Sequence, residues 1–258
     1  MRFFHRLIAI ALCLIVSGPA LAAMDPAKVA TAREAADEFL ALAEGSRTAG
    51  QMPRQTDPKV KALLDRIFDR TVLGREVLPI AESAKVGELI NNANRIGFAY
   101  MLAGTGLTDP DAIENDPKAA EVAERNVVTY APELGRWFDY QMALQGAIAD
   151  SMVAFLASAK KDVLERPQVK SGLGHVRQGL AGSIAGMFQT MSDDALDDAW
   201  RRDRMAYLNE LAPKAAKLLP PDDAKTLQEQ AGALADAVSD PELKAALKGF
   251  GETIVKAR

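Results

Sequence analysis

Hydrophobic residues along this chain recur at spacings of three and four, which is the period of one helix face. Alternation at period two, which indicates a half-buried strand, does not persist over any stretch. The pattern predicts helices near residues 26–44, 58–70, 82–103, 117–130, 132–160, 168–191, 193–211, 221–238 and 241–256. The predicted fold class is all-α: a multi-helix bundle of about nine helices with no sheet.

Helix boundaries are marked by a repeated dipeptide. Asp is a favoured N-cap, and Pro suits the first helical position because its missing N–H would have had no partner there. Asp-Pro occurs at residues 25–26, 57–58, 109–110, 116–117 and 240–241. We expect these pairs to act as independent caps, with helices starting at residues 26, 58, 117 and 241, and we expect Gly104 to stop a helix.

The first 22 residues follow a different pattern. A basic start is followed by an apolar stretch over residues 7–16 and by small residues, "ALA", at 20–22. The apolar stretch is well short of the ~20 residues that cross a bilayer. This pattern predicts a cleaved signal peptide at 1–22 and an exported protein, periplasmic or secreted, with no membrane span after cleavage.

The remaining residues, 23–258, are expected to form one helical domain, with two possible lobes divided at the loop 104–116. Signal cleavage would take the formal charge from −4 to −6, because Arg2 and Arg6 are lost. The single cysteine, Cys13, lies in the signal, but a chain of this length can bury a full core without disulfides. The absence of a polybasic run argues against nucleic acid as a partner.

One predicted helix contains an unusual polar stretch, "INNANRIGFAYMLAGTG", at residues 90–106. Asparagine is a poor helix former, so its presence there needs compensating contacts. One hypothesis is that Asn91 and Asn94 form hydrogen bonds between helices where this helix enters the core, while Arg95 reaches a carboxylate on a neighbour. The alternative is that these three side chains face a ligand.

His175 and Asp203 complete the candidate binding residues. His175 shares one side of its helix, within about 60° of arc, with glycines at 179, 182 and 186. This glycine seam would let another backbone approach, with His175 at its mouth as a hydrogen-bonded, pH-sensitive or catalytic residue. Asp203 is expected within the apolar stripe of helix 193–211, where a carboxylate needs a salt-bridge partner or has a functional role.

Four aspartates cluster in "SDDALDDAW", residues 192–200: Asp193, Asp194, Asp197 and Asp198. On one helix face they could hold a divalent metal. The interpretation we favour is structural, since acidic residues stabilise the first turn of a helix. Arginines at 201 and 202 stand four residues after Asp197 and Asp198, as in an ion-pair ladder. We therefore predict no metal site.

The sequence favours a non-enzymatic function: binding of a partner protein or a small apolar ligand between helices, without a cofactor. The alternative is an enzyme, either metal-dependent through the four aspartates or acid/base through His175 and Asp203. Convergence of these polar groups on one cavity would favour the enzyme, whereas an open apolar groove would favour binding.

Overall fold

A computed structural model describes residues 24–74 and 77–256, and the predicted signal peptide lies outside the described residues. Within these ranges the chain is helical and has no strand, so the all-α prediction is confirmed. The helices are α1 (Pro26–Arg47), α2 (Pro58–Ile67), α3 (Ser83–Met101), α4 (Pro117–Thr129), α5 (Ala131–Ser158), α6 (Lys161–Leu164), α7 (Pro167–Met191), α8 (Asp198–Leu218), α9 (Pro221–Ala237) and α10 (Pro241–Lys256). Short 3-10 turns occupy Arg70–Leu73, Ile80–Glu82 and Pro110–Asn115.

The Asp-Pro dipeptides act as helix starts. The side chains of Asp25, Asp57 and Asp116 each accept a hydrogen bond from the backbone N–H two residues on, at 2.8–3.0 Å. Asp240 accepts from the N–H three residues on, at 2.7 Å. Asp109 accepts a hydrogen bond from the backbone N–H two residues on, but the element that it starts is a 3-10 turn. Local cap chemistry therefore fixes these boundaries.

The boundaries predicted for α8 were wrong at both ends. The N-cap is Asp197, whose Oδ1 accepts from the Trp200 N–H at 2.6 Å, so residues 193–197 precede the helix. The helix was predicted to end at residue 211, two residues before Pro213, a residue type that usually kinks or breaks a helix. The helix instead continues through Pro213 to Leu218, because the next turn is still buried, with Ala215 fully enclosed.

The described chain forms two compact units. Unit 1 contains residues 24–74 and 88–141, and unit 2 contains the rest of the described residues, so α3 and α5 contribute to both units. The predicted lobe boundary at 104–116 does not coincide with this division, since the loop lies inside unit 1. Its Leu107 packs on a small core cluster with Ile113 and Ala120, and its Leu107 carbonyl accepts from Arg47 Nη2 at 2.9 Å.

Unit 1 has an aromatic core that includes Phe39, Tyr100 and Trp137. The ends of α1 and α3 approach each other closely at two glycines with positive φ, Gly50 (70°) and Gly104 (74°). A Cβ on Gly104 would lie 3.1 Å from the Gly50 Cα, so the crossing needs glycine. The prediction that Gly104 stops a helix is confirmed.

Unit 2 contains the start of α3, the second part of α5 and helices α6 to α10. Its core contains Met205, Leu208 and Leu247, and Phe188 of α7 meets Phe250 of α10 edge to face at 5.1 Å between ring centroids. Across the described parts of both units, no helix combines the length and the apolarity that a membrane crossing needs.

Candidate functional site

Asn94, a predicted site residue, is buried between α3 and α5 in unit 1. Its Oδ1 accepts hydrogen bonds from Gln141 Nε2 at 2.5 Å and from Trp137 Nε1 at 3.4 Å. We call Asn94, Trp137 and Gln141 the amide cluster. The prediction that Asn94 forms hydrogen bonds between helices is confirmed. Among the described residues, the amide cluster brings a predicted site residue together with two other buried polar side chains.

The indole of Trp137 is fixed by close packing against α3. A Cβ on Gly97 would lie 2.3 Å from two atoms of the indole ring, so the ring rests directly on the backbone of this glycine. Phe98 meets Trp137 edge to face, and Phe138 lies 4.7 Å from it between ring centroids. This packing fixes the position of the indole, whose N–H donates to Asn94 Oδ1.

The amide cluster has an open hydrogen-bond acceptor. Gln141 is 1% exposed, and its Oε1 is buried with no hydrogen-bond partner among the described side chains and backbone. Leaving such an acceptor unpaired costs about 1–3 kcal/mol. Amides and indole carry no charge and exchange no protons near neutral pH. The cluster therefore offers one unused hydrogen-bond acceptor and no group suited to act as a general acid or base.

Two further buried polar groups lie nearby in sequence but point elsewhere. Asn92, whose Nδ2 is buried without a partner in the described structure, is two residues before Asn94 and so about 200° away around α3. The Tyr140 hydroxyl, also buried and unpaired within the described residues, belongs to a ring that packs 5.6 Å from Phe68. Burial raises the pKa of Tyr140. Neither group joins the amide cluster.

The other candidates on α3 lie on its exposed side. Arg95 Nη1 pairs with Asp37 Oδ1 of α1 at 2.8 Å, which confirms the prediction that Arg95 reaches a carboxylate on a neighbour. Asn91 is exposed, so the prediction that it makes contacts in the interior was wrong. The side chain faces water because it shares the ridge of Arg95, four residues on.

In unit 2, His175 and Asp203 are both exposed and form no buried site. The placement of Asp203 in the apolar stripe of its helix was wrong, since its side chain is 71% exposed. The buried face of α8 instead includes Arg201 and Arg204, and the guanidinium of Arg204 lies 4.8 Å from the centroid of the Trp200 ring. The long apolar stem of arginine lets these residues line a buried helix face.

The four aspartates at 193–198 do not share a helix face, because α8 begins only at Asp198. The buried guanidinium of Arg201 contacts Asp194 at 3.6 Å, Asp198 at 3.3 Å and the backbone carbonyl of Asp193. The predicted ladder was wrong for both arginines: Arg201 does not pair with Asp197, which caps the helix instead. Arg202 pairs with Asp240 and Glu242 rather than with Asp198. In the parts of the chain that the structure describes, no group of metal-ligating side chains could hold a metal ion.

Two buried residues that form hydrogen bonds between helices were missed in the sequence. Gln141 lies four residues after Trp137, on the buried stripe of α5. Asn126 lies three residues after Ala123, on the buried stripe of α4, and its Nδ2 donates to the carbonyls of Met101 and Ala103 at 2.9 and 2.8 Å. A polar residue at helical spacing within an alanine- or aromatic-rich stripe is the signal that could have found both.

Comparisons of this chain with protein-family models, with curated proteins and with solved structures find no match. Its function must therefore be argued from its own residues. Among the described residues, the amide cluster combines burial, close packing and an unpaired hydrogen-bond acceptor.

Proposed function

We propose that this protein is exported through its N-terminal signal and acts by binding, without catalysis. The ligand is a small, largely apolar molecule that carries an N–H or O–H donor and lies between α3 and α5 in unit 1. The basic start, the short apolar stretch and the small residues at 20–22 support export.

The observation that carries the binding proposal is the unpaired Oε1 of Gln141. Its neighbours in the cluster are already committed, since Asn94 Oδ1 accepts from both Gln141 and Trp137. A ligand donor would complete the cluster. The aromatic packing around Trp137 favours an apolar body, and the neutral amides offer no charge to attract an ion.

An enzymatic function has less support from the same geometry. The acid/base pair suggested by sequence, His175 and Asp203, lies at the surface. Asp197 is used as a helix cap, and Asp194 and Asp198 pair with Arg201. These contacts account for the acidic stretch without a substrate or a metal.

Native mass spectrometry of the protein purified from its own periplasm tests both parts of the proposal. We expect a chain that starts after Ala22 and carries a small molecule. Gln141→Leu keeps the bulk of the side chain and removes the acceptor, so the purified variant should lose the bound mass while keeping its helical circular dichroism. Asn91→Ala, an exposed asparagine on α3, should retain the ligand as the parent does.

The two parts can fail separately. A mature protein that still carries Cys13 would contradict export by cleavage. A parent protein that retains no small molecule, or a Gln141→Leu variant that retains it fully, would contradict ligand binding at the amide cluster. Co-purification of another protein in place of a small molecule would favour a protein partner.

A further inference from the structure

A second buried polar site lies at the start of α5, against the loop that joins α1 to α2. Glu133 is 1% exposed, and its Oε1 accepts from the Gln55 backbone N–H at 2.8 Å and from Arg54 Nε at 3.2 Å. Its Oε2 is buried and has no hydrogen-bond partner in the described ranges. A buried carboxylate needs hydrogen bonds on both oxygens, so this one has unused capacity.

Arg54 satisfies this carboxylate incompletely. Its guanidinium carbon lies 5.0 Å from the centroid of the Tyr130 ring, and its Nε meets the same Glu133 oxygen that Gln55 already uses. A guanidinium fork can bond both oxygens of a carboxylate at once. The Arg54 side chain is also 41% exposed, so it can leave for water without crossing the protein interior.

The loop is held in place by contacts that do not involve Arg54. The Tyr130 hydroxyl donates to the carbonyl of residue 50 at 2.7 Å and accepts from the N–H of residue 52 at 3.0 Å. The Tyr100 hydroxyl donates to the Pro53 carbonyl at 2.7 Å. Burial, and then the charge of Glu133, raise the pKa of Tyr100, so its hydroxyl stays protonated. The walls of the site are therefore independent of the arginine.

We propose that Glu133 and the face of Tyr130 form a binding site for a guanidinium group, which Arg54 fills from within the chain. The aromatic face supplies a cation–π contact, and the carboxylate supplies charge-assisted hydrogen bonds. A ligand guanidinium that bonds both carboxylate oxygens displaces Arg54 into solvent. The source of the ligand group is a free guanidinium compound or an arginine side chain of another protein.

Titration of the mature full-length protein with methylguanidinium, followed by calorimetry, tests this proposal. Arg54→Ala removes the internal competitor and should bind about tenfold more tightly than the parent. Adding Glu133→Gln to Arg54→Ala should abolish binding. Arg66→Ala is the matched control, because Arg66 is also 41% exposed and ion-paired, with Glu38, but lies outside the site. It should bind as the parent does.

A capped tripeptide with a central arginine distinguishes the two sources. Tighter binding of the tripeptide than of methylguanidinium supports a protein ligand, and weaker binding supports a free compound. Equal methylguanidinium affinity for Arg54→Ala, Arg66→Ala and the parent would overturn the proposal. If Arg54→Ala loses its helical circular dichroism, Arg54→Gln replaces it. Unfolding of both variants would show that the fold itself requires Arg54, and the proposal would then be wrong.

Discussion

Helices α3 and α7 look alike in sequence, since each places glycines and a polar residue on a side that could pack, yet the structure uses them differently. On α3, the Trp137 ring covers Gly97. Asn94 is buried and accepts hydrogen bonds from two side chains of α5. On α7, a Cβ on Gly186 would meet nothing within 4 Å, and His175 is exposed. Along the glycine seam of α7, Gly179 and Gly182 are buried, but Gly186 meets no other backbone among the described residues.

The ends of the same two helices differ in a similar way. The last carbonyls of α3 are satisfied from another helix, because Asn126 of α4 donates to Met101 and Ala103. At the end of α7, the Ser192 hydroxyl donates to the carbonyl of Gln189, three residues earlier, at 2.6 Å. The comparison shows that α3 depends on partners distant in sequence, whereas the end of α7 is completed locally.

The largest effect on stability should come from adding a side chain at Gly97 of α3, where the backbone touches the Trp137 ring. In Gly97→Ala the new Cβ would lie 2.3 Å from the Trp137 ring, which is itself buried and cannot move freely. We expect a loss of about 3 kcal/mol in the free energy of unfolding, at the upper end of overpacking costs. The midpoint of urea denaturation measures it.

A double-mutant cycle shows whether the loss comes from this contact. Trp137→Leu removes the ring, so adding Gly97→Ala to it should cost much less than Gly97→Ala alone. Additive losses would mean that the clash lies elsewhere, and the contrast between α3 and α7 would then lose its physical basis.

The helix ends should give a smaller but clear difference. Asn126→Ala leaves two carbonyls at the buried end of α3 without their donor, which should cost about 2 kcal/mol. Ser192→Ala removes an exposed local bond and should change stability by less than about 0.5 kcal/mol. Thermal unfolding of both variants measures the difference. Equal losses would mean that α3 does not depend on its distant partner.

Most helix boundaries could be predicted because the interactions that set them are local. Asp25, Asp57 and Asp116 bond a backbone N–H two residues away, so the sequence contains both partners of each cap. The start of α8 was missed even though its cap, from the Trp200 N–H to Asp197, is local. The misplacement of Asp203 on the same helix has a nonlocal cause. Arg201 and Arg204 are buried by neighbours that the sequence does not identify, and their burial turns Asp203 toward water.

The candidate site was predictable only in part, for the same reason. Asn94 could be singled out because an asparagine before an apolar run needs a partner. Its main partner, Gln141, is 47 residues away, and no local pattern links the two. The spacing of Gln141 from Trp137 places it on a buried stripe, but only the packing of α5 on α3 brings the two amides together.

The smallest expected effect is a gain in stability, and it comes from a substitution on α7. Gly186 sits inside a long helix, is half-buried, and leaves open space where a Cβ would be. The expectation that Gly186 lets another backbone approach was therefore wrong. The destabilising effect of a glycine inside a helix is not offset there by a close contact. Gly186→Ala should raise the free energy of unfolding by about 0.5–1 kcal/mol, because alanine loses less backbone entropy on folding. Urea midpoints measured beside Gly97→Ala test this. A lower midpoint in both variants would show that the two glycines are equivalent and that α7 packs as closely as α3.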